Sequence, residues 1–258
     1  MALLETDTFW LSNTPFEPGS RFPGAGCPRL ATFALFRLSA AAEKHPRDIA
    51  LINTHLDHVS DAQRRIGASM VLHRARYEAL VRPGVPIFVT GDLNRCAFAL
   101  TLMSDSLLQY GCVVYSSASG SDNGAYTVLT GAVPAPAVPD EFARRFPLPS
   151  HPNPVDSSER KGQLVMRDLR SVAPRAYVGG KWATFTGFED RKWESCIDFV
   201  FGRSDGGWCV TPRSPSYEGE SLQSCGREAK NVFVETALSG DGMLASDHRL
   251  VVTDIVIT

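Results

Sequence analysis

Four short segments of this 258-residue sequence carry side chains suited to the hydrolysis of a phosphate ester. This reaction needs a metal ion to neutralise phosphoryl oxygens, a group that orients or deprotonates water, and donors that stabilise the developing charge. Histidine, carboxylate and amide side chains can fill these roles. The segments that contain them are Asn53-Thr54-His55, Gly91-Asp92-Leu93-Asn94, Ile197-Asp198-Phe199 and Ser246-Asp247-His248.

Strands are the elements expected to bring these segments together, because each segment begins or follows an apolar run. Residues 48–56 are mostly apolar, and a period of two places Asn53 and His55 on one face of the strand and Ile52 and Thr54 on the other. We therefore expect a buried strand that presents two polar side chains, and strand ends that converge at one edge of a pair of sheets.

Each segment also has a simpler interpretation. Asp92 and Asn94 after a strand are compatible with an Asx turn alone, and Ser246-Asp247 with the start of the last strand. Short motifs of this kind often occur by chance. Asp198 is harder to explain in this way, because an ionised carboxylate between two apolar residues needs a partner.

A zinc site is not indicated by the sequence. His55 and His58 lie on an extended segment, where a spacing of three residues places the two rings on opposite faces. The six cysteines are widely spaced without a C-x-x-C pair, which predicts reduced thiols in a cytosol-like compartment. They are Cys27, Cys96, Cys112, Cys196, Cys209 and Cys225.

The supporting elements are expected to be several strands and one well-defined helix. Ser60 and Gln63 form a capping-box pattern, and apolar residues then recur at helical spacing until Pro83-Gly84. These apolar residues are Ile66, Met70, Tyr77, Leu80 and Val81. Strands are expected at 6–12, 29–38, 48–56, 86–90, 195–202 and 249–258, with a Pro/Gly-rich loop over 13–28. Strand, helix and strand in this order predict an α/β architecture.

The whole chain, residues 1–258, is expected to form one domain, because its length suits a single large core. Residues 131–178 contain many prolines among polar residues. This composition disfavours regular elements, so we expect a surface insertion within the domain.

Composition excludes several classes of protein. A hydrophobic content of 43% and a charged content of 21% indicate a folded protein without a membrane span. The net charge of −2 supplies no basic field, so a polyanion would have to be held locally. Arginine pairs such as Arg64-Arg65 and Arg74/Arg76 are expected on solvated faces. The first twenty residues contain no unbroken apolar run, which predicts a cytoplasmic or other intracellular location.

Taken together and in this order, the four segments resemble the endonuclease/exonuclease/phosphatase superfamily, which includes DNase I-like nucleases, abasic-site endonucleases, deadenylases and inositol-phosphate phosphatases. The matching strings are NTHLDH at 53–58, GDLN at 91–94, IDFVF at 197–201 and SDH at 246–248. FWLSNTP at 9–15 and CPRLATF at 27–33 are similar to a branch of small members. The resemblance implies a four-layer αββα sandwich, in which two packed β-sheets are flanked by helices.

The resemblance also implies catalytic roles for the matched residues. His55 would contact or protonate a phosphate oxygen, and Asp92 would orient or deprotonate the attacking water. Asp198 would hold the imidazole of His248 and fix its tautomer. His248 would then stabilise the scissile phosphate.

A metal and a substrate site follow from the same resemblance. The implied metal-binding residues are Asp92, Asn94 and Asp247, with Mg²⁺ as the metal and Mn²⁺ as an alternative. Asn94 would bind either the phosphate or the metal. Asn53 and Arg64 are the candidate substrate-binding residues.

The family's N-terminal strands, which supply an Asn and the principal metal-binding Glu, have no counterpart before Thr8. We therefore expect an N-terminally incomplete domain that binds metal weakly. The expected function is metal-dependent hydrolysis of a phosphodiester, with nucleic acid as the favoured partner. The alternatives are a phosphatase for a phosphomonoester or a lipid or inositol phosphate, and a non-catalytic scaffold.

Overall fold

The computed structural model describes residues 1–38, 47–94, 124–149, 164–173, 178–180, 184–185, 196–205, 208–210, 232–235, 248, 250–253 and 255–257. Its strands are β1 Ala2–Trp10, β2 Leu30–Leu38, β3 Arg47–His55, β4 Ile87–Asp92, β5 Met166–Asp168, β6 Val178–Gly180, β7 Asp198–Arg203, β8 Trp208–Val210, β9 Val232–Glu235, β10 Leu250–Thr253 and β11 Ile255–Ile257. Its helices are α1 Asp61–Val81, α2 Gly124–Leu129, α3 Asp140–Arg145 and α4 Leu169–Val172.

The main sheet has six strands in the order β1-β2-β3-β4-β7-β5. Neighbouring strands in it are antiparallel except β3 and β4, which are parallel and are joined through α1. A parallel pair needs such a crossover, because the chain must return to the same end of the sheet before the second strand starts. The carboxyl ends of β3 and β4 therefore lie side by side.

Helices α1, α2 and α3 pack on one face of the main sheet. Met70 of α1, Val128 of α2 and Phe142 of α3 belong to the same buried cluster as the sheet residues below them. Burial of apolar surface stabilises this arrangement by about 25 cal/mol for each Å² removed from water. Four fully buried residues form a paired row across the sheet beneath these helices: Phe33, Ile52, Val89 and Phe201.

The opposite face packs against the remaining strands. Phe88 of β4 and Leu169 of α4 form a second apolar cluster, and Trp208 of β8 and Val251 of β10 pack against it. The ring centroids of Phe88 and Trp208 are 5.9 Å apart. In this layer β10, β9 and β6 form one sheet and β11 pairs with β8. The predicted α/β class, with layered strands and flanking helices, is confirmed.

Helix α1 begins where the sequence predicted. Ser60 is the N-cap residue, and its Oγ accepts a hydrogen bond from the backbone N–H of Gln63 at 3.2 Å. The second half of the capping box differs from the expected one, because Gln63 Oε1 accepts from the N–H of Asp57 at 3.0 Å. The helix is therefore joined to the preceding loop as well as to its own first turn.

The far end of α1 differs from the predicted apolar stripe. Leu80 and Val81 are 51% and 45% exposed. Arg74, expected on a solvated face, is instead 2% exposed and contacts the rings of Phe33 and Phe146, each centroid 4.2 Å from the guanidinium carbon. A hydrophobic pattern could not reveal this, because Arg74 owes its burial to partners on other elements.

The proline-rich segment 131–178 contains regular structure in its described part. Helices α3 and α4 and strand β5 lie in it. Phe142, Phe146 and Met166 are at most 5% exposed and belong to the main core. The expectation of a surface insertion is therefore wrong for these parts, since apolar residues between the prolines anchor short elements to the core.

The six expected strands are present with shifted bounds, whereas β5, β6, β8 and β9 were not expected from the sequence. Strand β1 starts at Ala2, ahead of the predicted start at Thr6. The predicted strand over 249–258 is divided into β10 and β11, which pair with β9 and β8 respectively. Within the described ranges, no helix has the length and apolar character that a membrane crossing requires.

Candidate active site

Three side chains with acid–base chemistry occupy one cross-strand row at the end of the main sheet. His55, the last residue of β3, pairs with Asp92, the last residue of β4, and Asp92 pairs with Asp198, the first residue of β7. Paired residues lie on the same face of a sheet, so the three side chains point the same way. His55 Nε2 is 3.3 Å from Asp92 Oδ2. We call these three residues the Asp92 row.

His248 lies against the Asp92 row. Its Nδ1 is 2.8 Å from Asp198 Oδ2, and its Nε2 is 3.9 Å from Asp92 Oδ2. An ionised carboxylate only accepts hydrogen bonds. Nδ1 of His248 therefore carries the hydrogen and donates a hydrogen bond to Asp198. The ring of Phe185 packs edge to face on the imidazole, with 5.2 Å between centroids. His248 therefore has a defined tautomer and orientation.

The turn after β4 positions the Asp92 carboxylate. Gly91 has a φ of 143°, and a Cβ there would lie 1.8 Å from the carbonyl oxygen of Thr54, so only glycine allows this approach of β3 and β4. Asn94 has a φ of 46°, a left-handed conformation that Asn tolerates. Its backbone N–H donates to Asp92 Oδ1 at 2.7 Å, and its Nδ2 donates to the carbonyl oxygen of Leu56 at 2.8 Å. An Asx turn is thus present and orients the carboxylate.

The surroundings change the acidity of two members of the Asp92 row. Burial raises the pKa of Asp92 to about 6; the nearby Asp198 carboxylate adds to this shift, and the hydrogen bond from Asn94 opposes it. Burial lowers the pKa of His55, and the charge of Arg29 lowers it further. At neutral pH His55 is therefore uncharged, and Asp92 is a carboxylate that readily accepts a proton.

Asp92, Asp198 and His248 could hold a cation together. One ligand atom from each residue lies within 4.8 Å of the others. Carboxylate oxygens are the donors that Mg²⁺ prefers, and Mg²⁺ is commonly bound by one or two carboxylates with water in its other positions. The two carboxylates therefore suit a divalent cation. Asp247, an expected metal ligand, lies outside the described residues, whereas Asn94 follows Asp92 in the same turn.

The two candidate substrate-binding residues have different surroundings. Asn53 is exposed on the same face of β3 as His55, and its Oδ1 accepts a hydrogen bond from Thr90 Oγ1 at 2.9 Å. Arg64 is 5% exposed on α1, and its Nη1 donates to the carbonyl oxygen of Asp57 at 2.9 Å. The structure groups Asn53 with the Asp92 row and ties Arg64 to the start of the helix.

Asp57 is a buried residue whose role the sequence did not reveal. Burial alone would raise the pKa of Asp57, but hydrogen bonds from the backbone hold the pKa well below its usual range. The carboxylate thereby joins the loop before β2 to the start of α1. It accepts hydrogen bonds from the backbone N–H groups of Gly26, Cys27, Val59 and Ser60. Asp57 lies within the NTHLDH string, but only the folded chain shows which loop returns to it.

Arg29 is a second residue that the sequence analysis missed. It directly precedes β2, beside the end of β3 where His55 lies. Burial raises the pKa of Asp92, and the charge of Arg29 opposes this rise. Burial lowers the pKa of His55, and the charge of Arg29 lowers it further. Its Nη2 is 3.2 Å from His58 Nδ1, and its Nε is 3.7 Å from Asp57 Oδ2. Arg29 is thus a cation next to the Asp92 row.

Solved structures share this arrangement of elements. The endonuclease/exonuclease/phosphatase of Bacteroides vulgatus matches with a TM-score of 0.58 and 23% identity, over 100% of this chain and 66% of that chain. The chain has the DNase I-like fold. Two further structures match this fold at lower identity. The mannosyl-6-phosphatase of Bacteroides thetaiotaomicron gives a TM-score of 0.56 and 18% identity, over 99% of this chain and 67% of that chain. A functionally unknown conserved protein of Enterococcus faecalis gives a TM-score of 0.53 and 21% identity, over 100% of this chain and 67% of that chain.

The DNase I-like chain spans about two-thirds of the length of each of these proteins. Comparisons of its sequence with protein-family models and with curated proteins found no match. One fold supports many activities, so its function has to be argued from the residues of the site.

Proposed function

We propose that this protein is a metal-dependent phosphoesterase that hydrolyses its substrate by in-line attack of water. The observation that carries the proposal is the Asp92 row with His248 against it, joined by contacts of 2.8 to 3.9 Å. These four groups offer an acceptor for the proton of water, donors for phosphoryl oxygens and carboxylates for a cation. Backbone hydrogen bonds compensate the burial of Asp57, whereas the pKa of Asp92 stays raised with the hydrogen bond from Asn94 in place, which favours a chemical role for Asp92.

Asp92 is the proposed general base. A pKa of about 6 leaves it ionised at neutral pH but basic enough to accept a proton from water as the attack proceeds. The N–H of Asn94 occupies Oδ1, so Oδ2, the oxygen nearest His55 and His248, receives the proton. Water held by Oδ2 attacks phosphorus in line with the leaving oxygen.

His55 and His248 are the proposed donors to the phosphoryl group. Uncharged His55 carries an N–H that donates a hydrogen bond to a phosphate oxygen. Asp198 stabilises the positive charge of His248 when Nε2 is protonated, which strengthens its hydrogen bond to the scissile phosphate. Both histidines act on the charge that develops as the water attacks.

A divalent cation, Mg²⁺ with Mn²⁺ as the alternative, is proposed at Asp92 and the amide oxygen of Asn94, with Asp247 as a further ligand. When bound, the cation neutralises charge on the phosphoryl oxygens. Within the described part of the chain, only Asp92 and Asn94 are proposed to supply oxygens, so water would retain most of the coordination sites and the affinity is expected to be weak.

A phosphodiester of the kind that nucleases cleave is the proposed substrate, and a phosphomonoester is the second candidate. The similarity to a mannosyl-6-phosphatase, with a TM-score of 0.56, favours the second. The net charge of −2 gives no long-range attraction for nucleic acid. A nucleic-acid substrate would therefore be held by groups next to the Asp92 row.

The test is hydrolysis of a diester, bis(p-nitrophenyl) phosphate, and a monoester, p-nitrophenyl phosphate, with Mg²⁺ and with EDTA. We expect Mg²⁺-dependent turnover that is higher for the diester. Asp92→Asn and His248→Ala should each lower turnover by about two to four decades, because the first removes the base and the second a donor to the phosphate.

Asp48→Asn is the matched control, since Asp48 lies at the opposite end of β3 and pairs with Arg37. Its turnover should equal that of the parent chain. Turnover of Asp92→Asn within a factor of about three of the parent would exclude Asp92 as the base. Failure to hydrolyse either ester with Mg²⁺ would overturn the proposal in favour of a non-catalytic scaffold.

A further inference from the structure

Arg29 has unused hydrogen-bonding capacity beside the Asp92 row. Its side chain is 14% exposed, and its buried Nε has no hydrogen-bond partner. A guanidinium has five N–H donors, and among the described contacts only Nη2 makes a hydrogen bond, to His58 Nδ1 at 3.2 Å. Nε itself is closed to a ligand, whereas Nη1 makes no described hydrogen bond and is not among the buried unpaired atoms, so Nη1 is the donor that a ligand can reach.

The neighbours of Arg29 hold it in place without saturating it. Asp57 Oδ2 lies 3.7 Å from Nε, beyond hydrogen-bond distance, and that carboxylate already accepts bonds from the backbone. His58 Nδ1 accepts from Arg29, which only donates, so Nε2 is the donor atom of the ring. His58 is exposed, and Gly26 packs against its ring where a Cβ would lie 2.9 Å from Cε1. Arg29 and His58 thus present donors side by side.

The position of Arg29 is next to the reacting centre and not within it. Its described contacts are to Asp57 and His58, whereas His55 and Asp92 contact each other. Yet Arg29 directly precedes β2, whose first residues pair with the end of β3. An anion held by Arg29 would therefore lie beside a phosphate that reacts at the Asp92 row.

We propose that Arg29 and His58 form a subsite for a second phosphate group of the substrate. The inference rests on the proposed function for the reacting ester and adds a substrate class to it, namely phosphoesters that carry a further phosphate close to the scissile one. Such a group could come from a small bisphosphate or from the neighbouring phosphate of a nucleotide chain. Arg29 is the principal contact, because a guanidinium binds phosphate through several N–H groups at once.

Binding without turnover tests the subsite first. Propane-1,3-diphosphonate and propylphosphonate are titrated calorimetrically into the full chain with EDTA present. The parent should bind the diphosphonate more tightly, and Arg29→Ala should lose about tenfold in affinity for it, the scale of one charge-assisted hydrogen bond. Affinity for propylphosphonate should not change. Arg29→Lys keeps the charge but loses the planar set of N–H donors, so it should retain part of the preference for the diphosphonate. This variant also serves as the control for a folding defect in Arg29→Ala.

Kinetics then distinguish the source of the second phosphate. One pair of substrates is propyl phosphate and 1,3-propanediol bisphosphate, and the other is the dinucleotide TpT with and without a 5′-phosphate. In the pair that matches the natural substrate, Arg29→Ala should raise KM about tenfold for the member with the extra phosphate and change KM little for the other member, whereas the loss of its charge beside the Asp92 row should affect kcat equally for both members. His58→Ala should raise the same KM by a smaller factor. Arg37→Ala, an exposed arginine at the far end of β2, is the control without effect.

The outcomes separate the subsite from the proposed function. If Arg29→Ala raised KM equally for both members of each substrate pair, Arg29 would contact the reacting phosphate, and the subsite would be overturned. The subsite would also be overturned if the parent chain and Arg29→Ala each bound propane-1,3-diphosphonate and propylphosphonate with equal affinity. A preserved preference for the diphosphonate in a chain that hydrolyses none of the esters would support the subsite and reject the phosphoesterase.

Discussion

At the scale of single residues, Asp92 combines a buried position with a charge that its proposed role as a base needs. Burial raises its pKa from 3.8 to about 6, so the folded chain binds a proton at Asp92 more tightly than the unfolded chain does. The contribution of Asp92 to stability is therefore complete below pH 4 and is lost as the pH rises through 6. The metal-free protein should lose stability over this interval.

Asp92→Asn should consequently stabilise the metal-free chain at pH 7 by about 2 to 3 kcal/mol. The substitution removes an ionised carboxylate whose pKa burial has raised from 3.8 to about 6. The gain should shrink as the pH falls from 6 to 4. Urea unfolding in EDTA at several pH values measures it. Asp48→Asn is the control without a gain, since pairing with Arg37 lowers the pKa of Asp48. A variant less stable than the parent at pH 7 would show that the carboxylate is not destabilised by burial.

Asp198 should act on catalysis through His248. Its Oδ2 accepts from His248 Nδ1 at 2.8 Å, so loss of either residue removes the same oriented imidazole. The double variant Asp198→Ala/His248→Ala should therefore lose little more turnover than His248→Ala alone. A double-mutant cycle of kcat/KM measures the coupling. Multiplication of the two losses would mean that Asp198 contacts the substrate or cation independently of His248.

The sequence could supply the residue types of the site but not all of its members. The NTHLDH and GDLN strings mark His55 and Asp92, because a strand end fixes each of them locally. Arg29 and Asp57 could not be predicted, since their roles depend on a loop that returns over 30 residues to the start of α1. Nothing in the sequence indicated that Arg64 is buried, because its hydrogen bond to the carbonyl oxygen of Asp57 forms only in the folded chain.

At the scale of elements, the close approach of β3 and β4 depends on Gly91. A Cβ at Gly91 would lie 1.8 Å from the carbonyl oxygen of Thr54, and its φ of 143° is strained for any other residue. Gly91→Ala should therefore prevent β3 and β4 from pairing at their carboxyl ends, which would disperse the Asp92 row. We expect an unfolded or aggregated chain in circular dichroism and light scattering.

Gly84→Ala is the matched comparison for Gly91→Ala. Gly84 also has a positive φ, of 85°, but a Cβ there meets nothing within 4 Å. Its substitution should cost only about 1 to 2 kcal/mol, the strain of a left-handed residue. A Gly91→Ala chain as stable as the Gly84→Ala chain would contradict the close contact with Thr54.

Elements with a strong local signal were predictable from sequence, and those fixed by distant contacts were not. The N-cap at Ser60 and the stop before Pro83-Gly84 bound α1 where it was expected. The short helices and strand in 131–178 were not expected, because prolines dominate that sequence and the core contacts of Phe142 and Phe146 decide its structure. The strand order of the main sheet was not predicted, because periodicity assigns residues to faces and does not say which strands pair.

At the scale of the whole molecule, a buried arginine ties the first strand to the helical layer. Arg74 of α1 is 2% exposed, and its Nη1 is 2.6 Å from Asp7 Oδ2 on β1. Its Nε is 2.7 Å from Glu78 Oε1, itself 1% exposed. The guanidinium also contacts the rings of Phe33 on β2 and Phe146 after α3, each 4.2 Å away. The partners lie up to about 70 residues away, so no local pattern could predict the network.

Arg74→Ala should destabilise the chain by about 3 to 5 kcal/mol, because it leaves the buried Glu78 carboxylate and Asp7 without this partner and opens space between two aromatic rings. Urea unfolding followed by circular dichroism measures the loss. Arg37→Ala is the control, since Arg37 is an exposed arginine whose pair with Asp48 lies at the surface, and its unfolding midpoint should equal that of the parent. Arg74→Met with Glu78→Leu should recover much of the loss, because apolar side chains of similar volume can replace a buried ion pair. Unfolding midpoints that are the same for Arg74→Ala and Arg37→Ala would mean that β1 is held to the helices by apolar packing alone.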